Sequence, residues 1–500
     1  MQKETTGWIK YAPMMTWTVV YVLTCVVGAL LIILDYRPFV LMFRYFSGVD
    51  LDIPEDGATL AVLYTLLLVA PLLVWGGYSI GWRLSETSGI QESRWKIKSS
   101  HSWLWAVSTF CVCMVVAIWS LVHGGACGDL RAWLQYDVWV KARWRLFDSL
   151  GFFEFVNIYL FLPLSAGWMF MAADTGGGIR KIVAWIAVMA AVVSAVILFQ
   201  KKSVIVTLIL LMVIFGLWRL KSGYKFKHPR LIIGIGSIVL AAVYFLLLVL
   251  PVCRQAEHQQ TQVEQLEAQA QQLEAQAQQL EAHEGQLKVK AEQLKAQAEQ
   301  LKAQAKQLVA LSKEFGGFNN FREALFFYAL LAPLTRTSAP AIYYSFVFPH
   351  EHPYYGLDLG QDILGFGTMP DDNKVVWQRM NPNIDGGTVS APFHFVLYSQ
   401  VGLWGALIGS FIAGLALGGS WFFVLVKIKQ PATSVLAGSL VMLLSVYLAI
   451  DSARNSLLVS YGVAWGGLFL CWVWASENFG KVLLNQRFDR SSVQLRTDET

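Results

Sequence analysis

MMTWTVVYVLTCVVGALLIIL, from Met14 to Leu34, carries no charged residue and as a helix is long enough to cross the ~30 Å of bilayer hydrocarbon. It lacks the small-residue cleavage pattern of a secretory leader, so it reads as a first spanning helix that stays in the mature chain. Similar runs recur near 58–80, 103–122, 152–172, 182–199, 203–219, 231–251, 401–425, 435–450 and 457–474, so the sequence predicts ten spanning helices. Composition agrees: 55% of the 500 residues are hydrophobic, with 20 Trp and 30 Phe, which marks an all-α polytopic membrane protein rather than a string of soluble domains. A formal net charge of +5 is small for this length and shows no nucleic-acid footprint, so neither DNA nor RNA is expected as a partner.

The cations alternate by loop. Arg83, Arg94, Lys96 and Lys98; Arg180 and Lys181; Arg219, Lys221, Lys225, Lys227 and Arg230; and Lys427 and Lys429 all fall in every second connection. The positive-inside rule makes those loops cytoplasmic, with both termini inside and the segment from Val252 to Ser390 outside. Asp35, Asp50, Asp52, Glu55 and Asp56 fit an outer first loop. The 123–150 loop departs from the trend, with Arg131, Lys141, Arg143 and Arg145 among Trp133, Trp139 and Trp144. It reads either as a helix lying in the headgroups or as a cationic lip for a phosphorylated lipid. Cys111 and Cys113 would point to different faces of one helix and read as buried small residues; Cys127 and Cys253 share the outer side and could pair there.

The expected division is 1–251 for helices one to seven, 252–314 for a soluble helical hairpin, 315–400 for a site-forming outer loop, 401–475 for the last three helices, and 476–500 for a cytoplasmic tail. The hairpin follows from leucines at 266, 273, 280, 287, 294, 301 and 308, with Ala270, Ala277, Ala291, Ala298 and Ala305 four residues after five of them. Folding the chain near Gly285 sets five of these leucines against the five alanines. It also pairs Glu267, Glu274 and Glu281 with Lys302, Lys295 and Lys288 as e-to-e′ contacts of an antiparallel coiled coil. Such a rod reads as a spacer or as a docking arm for another protein or a second copy of the chain.

No Walker loop, HExxH, G-x-S-x-G or CxxC is present, so any chemistry rests on scattered polar residues near the outer face. Lys201 and Lys202 sit in a hairpin of a few residues between two spans, where they either snorkel or clamp a lipid-linked phosphate. Arg322 and Arg336 flank FREALFFYALLAPLTRT, too short and too broken by Pro333 to span, which reads as re-entering the bilayer edge. In NPNIDGGTVSAPFHFVLYSQVGLWG, Asp385 and His394 are the titratable groups; His394 is either a satisfied polar residue or a base, and Gly402 and Gly405 would allow close helix approach. HEHP, 350–353, is a weak metal signal and reads as a solvated loop; Asp371 and Asp372 read as surface turn residues. No metal site is expected.

These segments resemble the Wzy-type oligosaccharide repeat-unit polymerases of bacterial surface polysaccharides. The likeness is one of arrangement: QKKSVIV ahead of a span, LTRTSAPAIYYSFVFPHEHPYYG in a large outer loop, and NPNIDGGTVSAPFHFVLYSQVGLWGALIG entering a helix. The resemblance implies a GT-C-like helical bundle in the bacterial inner membrane. At the periplasmic face it would transfer a glycan from undecaprenyl pyrophosphate to the next lipid-linked repeat unit, without cofactor or metal. By the same likeness Lys201, Lys202 and Arg336, with Arg322, would bind the pyrophosphate. His394 or Asp385 would activate the acceptor hydroxyl, and Tyr354, Tyr355 and Asn383 would meet the glycan. The coiled coil would then face a periplasmic chain-length co-polymerase. O-antigen ligases share much of this pattern, and a lipid-linked oligosaccharide transporter or a passive anchor for the coil are further readings; a transporter would carry mid-bilayer charges and paired broken helices.

Overall fold

The computed structural model describes residues 9–36, 40, 56–86, 101–124, 146, 149–174, 176–198, 201–222, 268–276, 292, 295–299, 302, 337–356, 372–381, 389–457 and 462–478. Among them there are helices and no strands. We number the helices α1 (Ile9–Ile33), α2 (Gly57–Glu86), α3 (His101–His123), α4 (Phe152–Ala173), α5 (Gly178–Ile197), α6 (Lys201–Lys221), α7 (Ser338–Val347), α8 (Asp372–Met380), α9 (Phe393–Lys427), α10 (Pro431–Leu448), α11 (Ala453–Leu457) and α12 (463–478). Eight, α1 to α6 with α9 and α10, are long and apolar enough to cross a membrane, and the chain is a multi-pass membrane protein.

Two of the ten expected runs are not among these eight. The run 231–251 lies outside the described residues. The run 457–474 is interrupted at Gly462, whose φ is +57°, and the helix that follows is described over 463–478. Antiparallel alternation shows in the contacts at one end of the bundle. Trp421 Nε1 donates to the Ile9 carbonyl at 2.9 Å, the Tyr78 hydroxyl to the Lys10 carbonyl at 2.5 Å, and the Thr433 hydroxyl to Glu477 at 2.6 Å.

The central seam joins α2 to α9 through glycine. A Cβ on Gly77 would lie 2.1 Å from the Phe411 carbonyl oxygen, on Gly81 2.3 Å from that of Leu415, on Gly414 2.0 Å from that of Val74, and on Gly418 2.2 Å from that of Tyr78. Two small-xxx-small pairs thus let the backbones touch, which is how helices associate where lipid removes the hydrophobic drive. The expected close-approach glycines were others, Gly402 and Gly405. Gly402 instead has φ +72° and ψ −174° and breaks α9 into 393–401 and 403–427, while Gly405 faces its own chain at Val401. The break is a fold-back. A Cβ on Gly409 would lie 2.6 Å from Leu397 Cδ1, although a straight helix would set residues twelve apart ~18 Å from each other.

π-turns interrupt α1 at Val22–Val26 and α2 at Thr65–Val69. Where the regular ladder is interrupted, carbonyls turn to other donors. Thr24 O receives the Thr337 N–H at 3.2 Å, the Thr337 hydroxyl at 2.9 Å and the Ser338 hydroxyl at 3.2 Å, and Leu67 O receives the Tyr21 hydroxyl at 3.2 Å.

In the heptad region, residues 268–276 are helical, Ala270 and Ala298 are fully buried, and Lys302 pairs with Glu274 at 2.5 Å. The sequence reading set Glu274 against Lys295 and Lys302 against Glu267. The observed pair is displaced from that register by one heptad, because a strict seven-residue repeat of Leu against Ala is satisfied equally after a shift of seven. Glu274→Cys with Lys302→Cys is expected to be joined within one chain by a short bis-maleimide, and Glu274→Cys with Lys295→Cys much less; gel mobility of the full-length protein reads the difference, and the reverse ranking would restore the first register.

Candidate functional site

Two short helices stand side by side with their N-terminal ends inside the bundle. α7 starts where Thr337 and Ser338 are held on the Thr24 carbonyl, beside the middle of α1, and every residue from Ser338 to Val347 is buried. The first part of α9, 393–401, starts at His394 against Tyr21 of α1 and runs to the Gly402 break. A turn at 348–356 covers that break. The Tyr355 and Gly356 N–H groups donate to the Ser399 and Gln400 carbonyls at 3.1 and 2.8 Å, and the Tyr398 hydroxyl donates to Phe348 O at 2.7 Å.

His394 is fully buried. Its Nε2 lies 3.3 Å from the Tyr21 hydroxyl, the two rings meet edge-on at 5.3 Å, and its Nδ1 has no hydrogen-bond partner in the structure. Tyr21 stacks on Trp17 at 5.0 Å, and the buried Cys25 lies beside Tyr21 and Thr337. His394, Tyr21, Cys25 and Thr337 therefore form one polar cluster between α1, α7 and α9.

A second cluster lies further along the same two short helices. Asp372, read from sequence as a surface turn residue, is 6% exposed and accepts from the Tyr344 hydroxyl at 2.9 Å and the Ser399 hydroxyl at 3.1 Å. The sequence signal misleads because an acid beside Asn and Lys looks solvated, whereas α8 packs its Asp372, Val376 and Met380 inward. Burial first, and then the Asp372 carboxylate, hold the Tyr344 phenol well above its usual range, so it stays a donor.

At the rim, the turn is latched on both sides. Asp56 caps α2, accepting from the Thr59 N–H at 3.1 Å and the Thr59 hydroxyl at 2.9 Å, and His350 Nε2 lies 3.2 Å from that hydroxyl oxygen. The Thr59 hydroxyl, its backbone N–H and that of Ala58 hold the Asp56 carboxyl below the usual carboxylate range. Glu351 takes Arg379 Nε at 2.9 and 3.0 Å, and His352 Nδ1 lies 2.7 Å from Pro353 O. His350 and Glu351 of the HEHP run thus engage α2 and α8, and among the described residues no three His, Cys, Asp or Glu gather to hold a metal.

Tyr354 is 39% exposed; a Cβ on Gly402 would lie 3.3 Å from its ring, and it meets Tyr398 edge-on at 5.6 Å. Tyr355 stacks on His352 at 4.7 Å. Both lie in the 348–356 turn that covers the Gly402 break. Lys201 and Lys202 form the first turn of α6, described in backbone only. Arg322, Arg336, Asn383 and Asp385 lie outside the described residues, as do Cys127 and Cys253 and the cationic stretch 131–145. Arg336 directly precedes the anchored Thr337. Sequence reasoning missed Tyr21, Cys25, Tyr344 and Ser399, polar groups within or beside apolar stretches, the place where polar side chains are expensive and have a reason to be present.

No family model, no curated protein and no solved structure matches the chain.

Proposed function

We propose that the chain is a membrane glycosyltransferase that polymerises undecaprenyl-pyrophosphate-linked oligosaccharide repeat units at the outer face of a bacterial inner membrane. The observation that carries this reading is the buried His394 with an unpartnered Nδ1 at the start of a folded-back half-helix, beside the anchor that immediately follows Arg336. A lipid pyrophosphate is already a good leaving group. A catalyst for its displacement needs cations where charge develops and one base for the acceptor hydroxyl. Arg336 with Lys201 and Lys202, and Arg322, are the cations of this proposal; His394 is the base, with Asp385 as the other candidate. Tyr354 and Tyr355 give sugar rings apolar faces to stack on, and Asn383 offers an amide to their hydroxyls. The coiled-coil arm, in this reading, docks a periplasmic chain-length co-polymerase.

The break at Gly402 is a feature of transporters as well. There, unwound carbonyls line an ion site. Here the Ser399 and Gln400 carbonyls accept from Tyr355 and Gly356, which favours a rigid site over an ion path. A ligase would use the same donor chemistry with a different acceptor.

Arg336→Ala, and Lys201→Ala combined with Lys202→Ala, are each expected to lower high-mass glycan at least ~100-fold, the scale of losing charge stabilisation at a developing oxyanion. Exported single repeat units would persist. Gel ladders of surface glycan from cells carrying each variant as sole copy check this. Full ladders from both variants would sink the pyrophosphate clamp, and long chains left on the lipid carrier would identify a ligase instead.

A further inference from the structure

We infer that Tyr21, in the first spanning helix, is a positioning residue that fixes the tautomer of His394 and leaves Nδ1 as a bare acceptor for a substrate hydroxyl. The inference rests on the glycan-transfer reading for the identity of that hydroxyl, an acceptor sugar OH, but its geometric part stands alone. The Leu67 carbonyl can only accept, so the single proton of the Tyr21 hydroxyl is committed to it at 3.2 Å. The oxygen of Tyr21 then has only lone pairs to offer His394 Nε2 at 3.3 Å. Nε2 must therefore carry the ring proton, and Nδ1 carries the lone pair. Leu67 lies in the Thr65–Val69 π-turn, where the helical ladder is interrupted and an outside donor is called for.

This accounts for the one unpartnered atom of the cluster. A fully buried ring nitrogen with no donor costs stability, a cost that a hydroxyl arriving with substrate removes. In the reaction, Nδ1 takes the proton of the acceptor hydroxyl as that oxygen bonds the donor's anomeric carbon. The bond from that carbon to the pyrophosphate oxygen breaks with its electron pair leaving on the phosphate, and the imidazolium then returns its proton to the departed pyrophosphate or to water. The Tyr21 oxygen holds Nε2–H throughout, so the ring neither flips nor swaps tautomers.

The test uses the full chain in lipid nanodiscs with 15N-labelled histidine, and His394→Gln identifies the resonances of His394. The wild type is expected to show protonated Nε2 and bare Nδ1, and Tyr21→Phe a mixture of the two tautomers. A wild-type ring protonated at Nδ1, or a tautomer unmoved by Tyr21→Phe, would overturn the inference. Polymer length in cells supplies the second arm. Glutamine keeps an N–H where Nε2 stood but offers no acceptor at Nδ1, so His394→Gln should keep the thermal stability of the wild type and lose roughly 100-fold of its polymer. Tyr21→Phe should lose about tenfold, as other partners that orient a functional histidine do. If the tautomer responds as expected and both variants still make full polymer, the positioning role stands and the glycan-transfer role of His394 falls.

Discussion

Gly414→Leu is expected to leave no folded protein: a sharp size-exclusion peak in mild detergent for the wild type, and aggregate or no yield for the variant. The reason is the nature of the obstacle. A side chain at 414 would begin 2.0 Å from the Val74 carbonyl oxygen, and the neighbour is backbone, which has no rotamer to escape into. The α2 and α9 helices would have to part, and parting would also open the contacts at Gly77, Gly81 and Gly418, whose added Cβ atoms would meet carbonyl oxygens at 2.1, 2.3 and 2.2 Å. Overpacking a core ordinarily costs ~1–3 kcal/mol because side chains adjust. Here the whole seam is at stake, which puts the change among the exceptional losses above ~4 kcal/mol. Adjacent glycines supply the control. A Cβ on Gly76 meets nothing within 4 Å and one on Gly419 only Ser85 Oγ at 3.7 Å, so Gly76→Ala and Gly419→Ala should be neutral or stabilise by roughly 0.5–1 kcal/mol through helix propensity. A Gly414→Leu protein that elutes and melts like the wild type would mean that α2 and α9 do not meet here.

That seam also shows where sequence reading reached its limit. Apolar runs of spanning length announced α1 to α6, α9 and α10, because a bilayer imposes a length that no side-chain detail can alter. Which glycines would touch was a question of facing angle between two helices. Gly402 and Gly405 were the expected contacts where Gly414 and Gly418 make them, and nothing local distinguishes a glycine that admits a neighbour from one that bends its own chain. The site was legible in part. His394 stood out as a titratable group entering a helix, but its partner Tyr21 lies 373 residues away, in a stretch whose periodicity is purely apolar. Asp372 was misread for the same reason. Its burial is decided by Tyr344 and Ser399, two hydroxyls on helices that sequence cannot bring together. The heptads left the pairing register open by a multiple of seven, and the Lys302 to Glu274 contact lies one heptad from the expected pairs.

Asp372→Leu is the second large effect expected, and a double-mutant cycle with Tyr344→Phe gives it a sign that packing alone would not. The leucine leaves the Tyr344 hydroxyl, fully buried, without its acceptor, at a cost of ~1–3 kcal/mol. Ser399 suffers less, since its hydroxyl also reaches Val396 O at 2.7 Å. Tyr344→Phe alone removes a donor from a buried carboxylate, again ~1.5–3 kcal/mol for a bond to a charged group. The double variant buries neither orphan. It should therefore be more stable than Asp372→Leu alone, because exchanging both members of a buried polar pair for apolar groups is often close to neutral. Alkaline pH adds an independent readout. The folded-state phenol of Tyr344 titrates above its unfolded value of ~10, so its contribution is complete below that pH and is lost as pH rises beyond it, while the unfolded chain ionises and the folded one does not. Thermal melts from pH 7 to 11 should show a falling limb above pH ~10 that is shallower in Tyr344→Phe. Because Asp372 ties α8 to both α7 and the 393–401 half-helix, its loss should, under the proposed glycan-transfer function, also reduce polymer without changing the His394 tautomer. An Asp372→Leu protein as stable as the wild type, or a double variant weaker than either single one, would show that the Asp372, Tyr344 and Ser399 cluster does not hold the two short helices together.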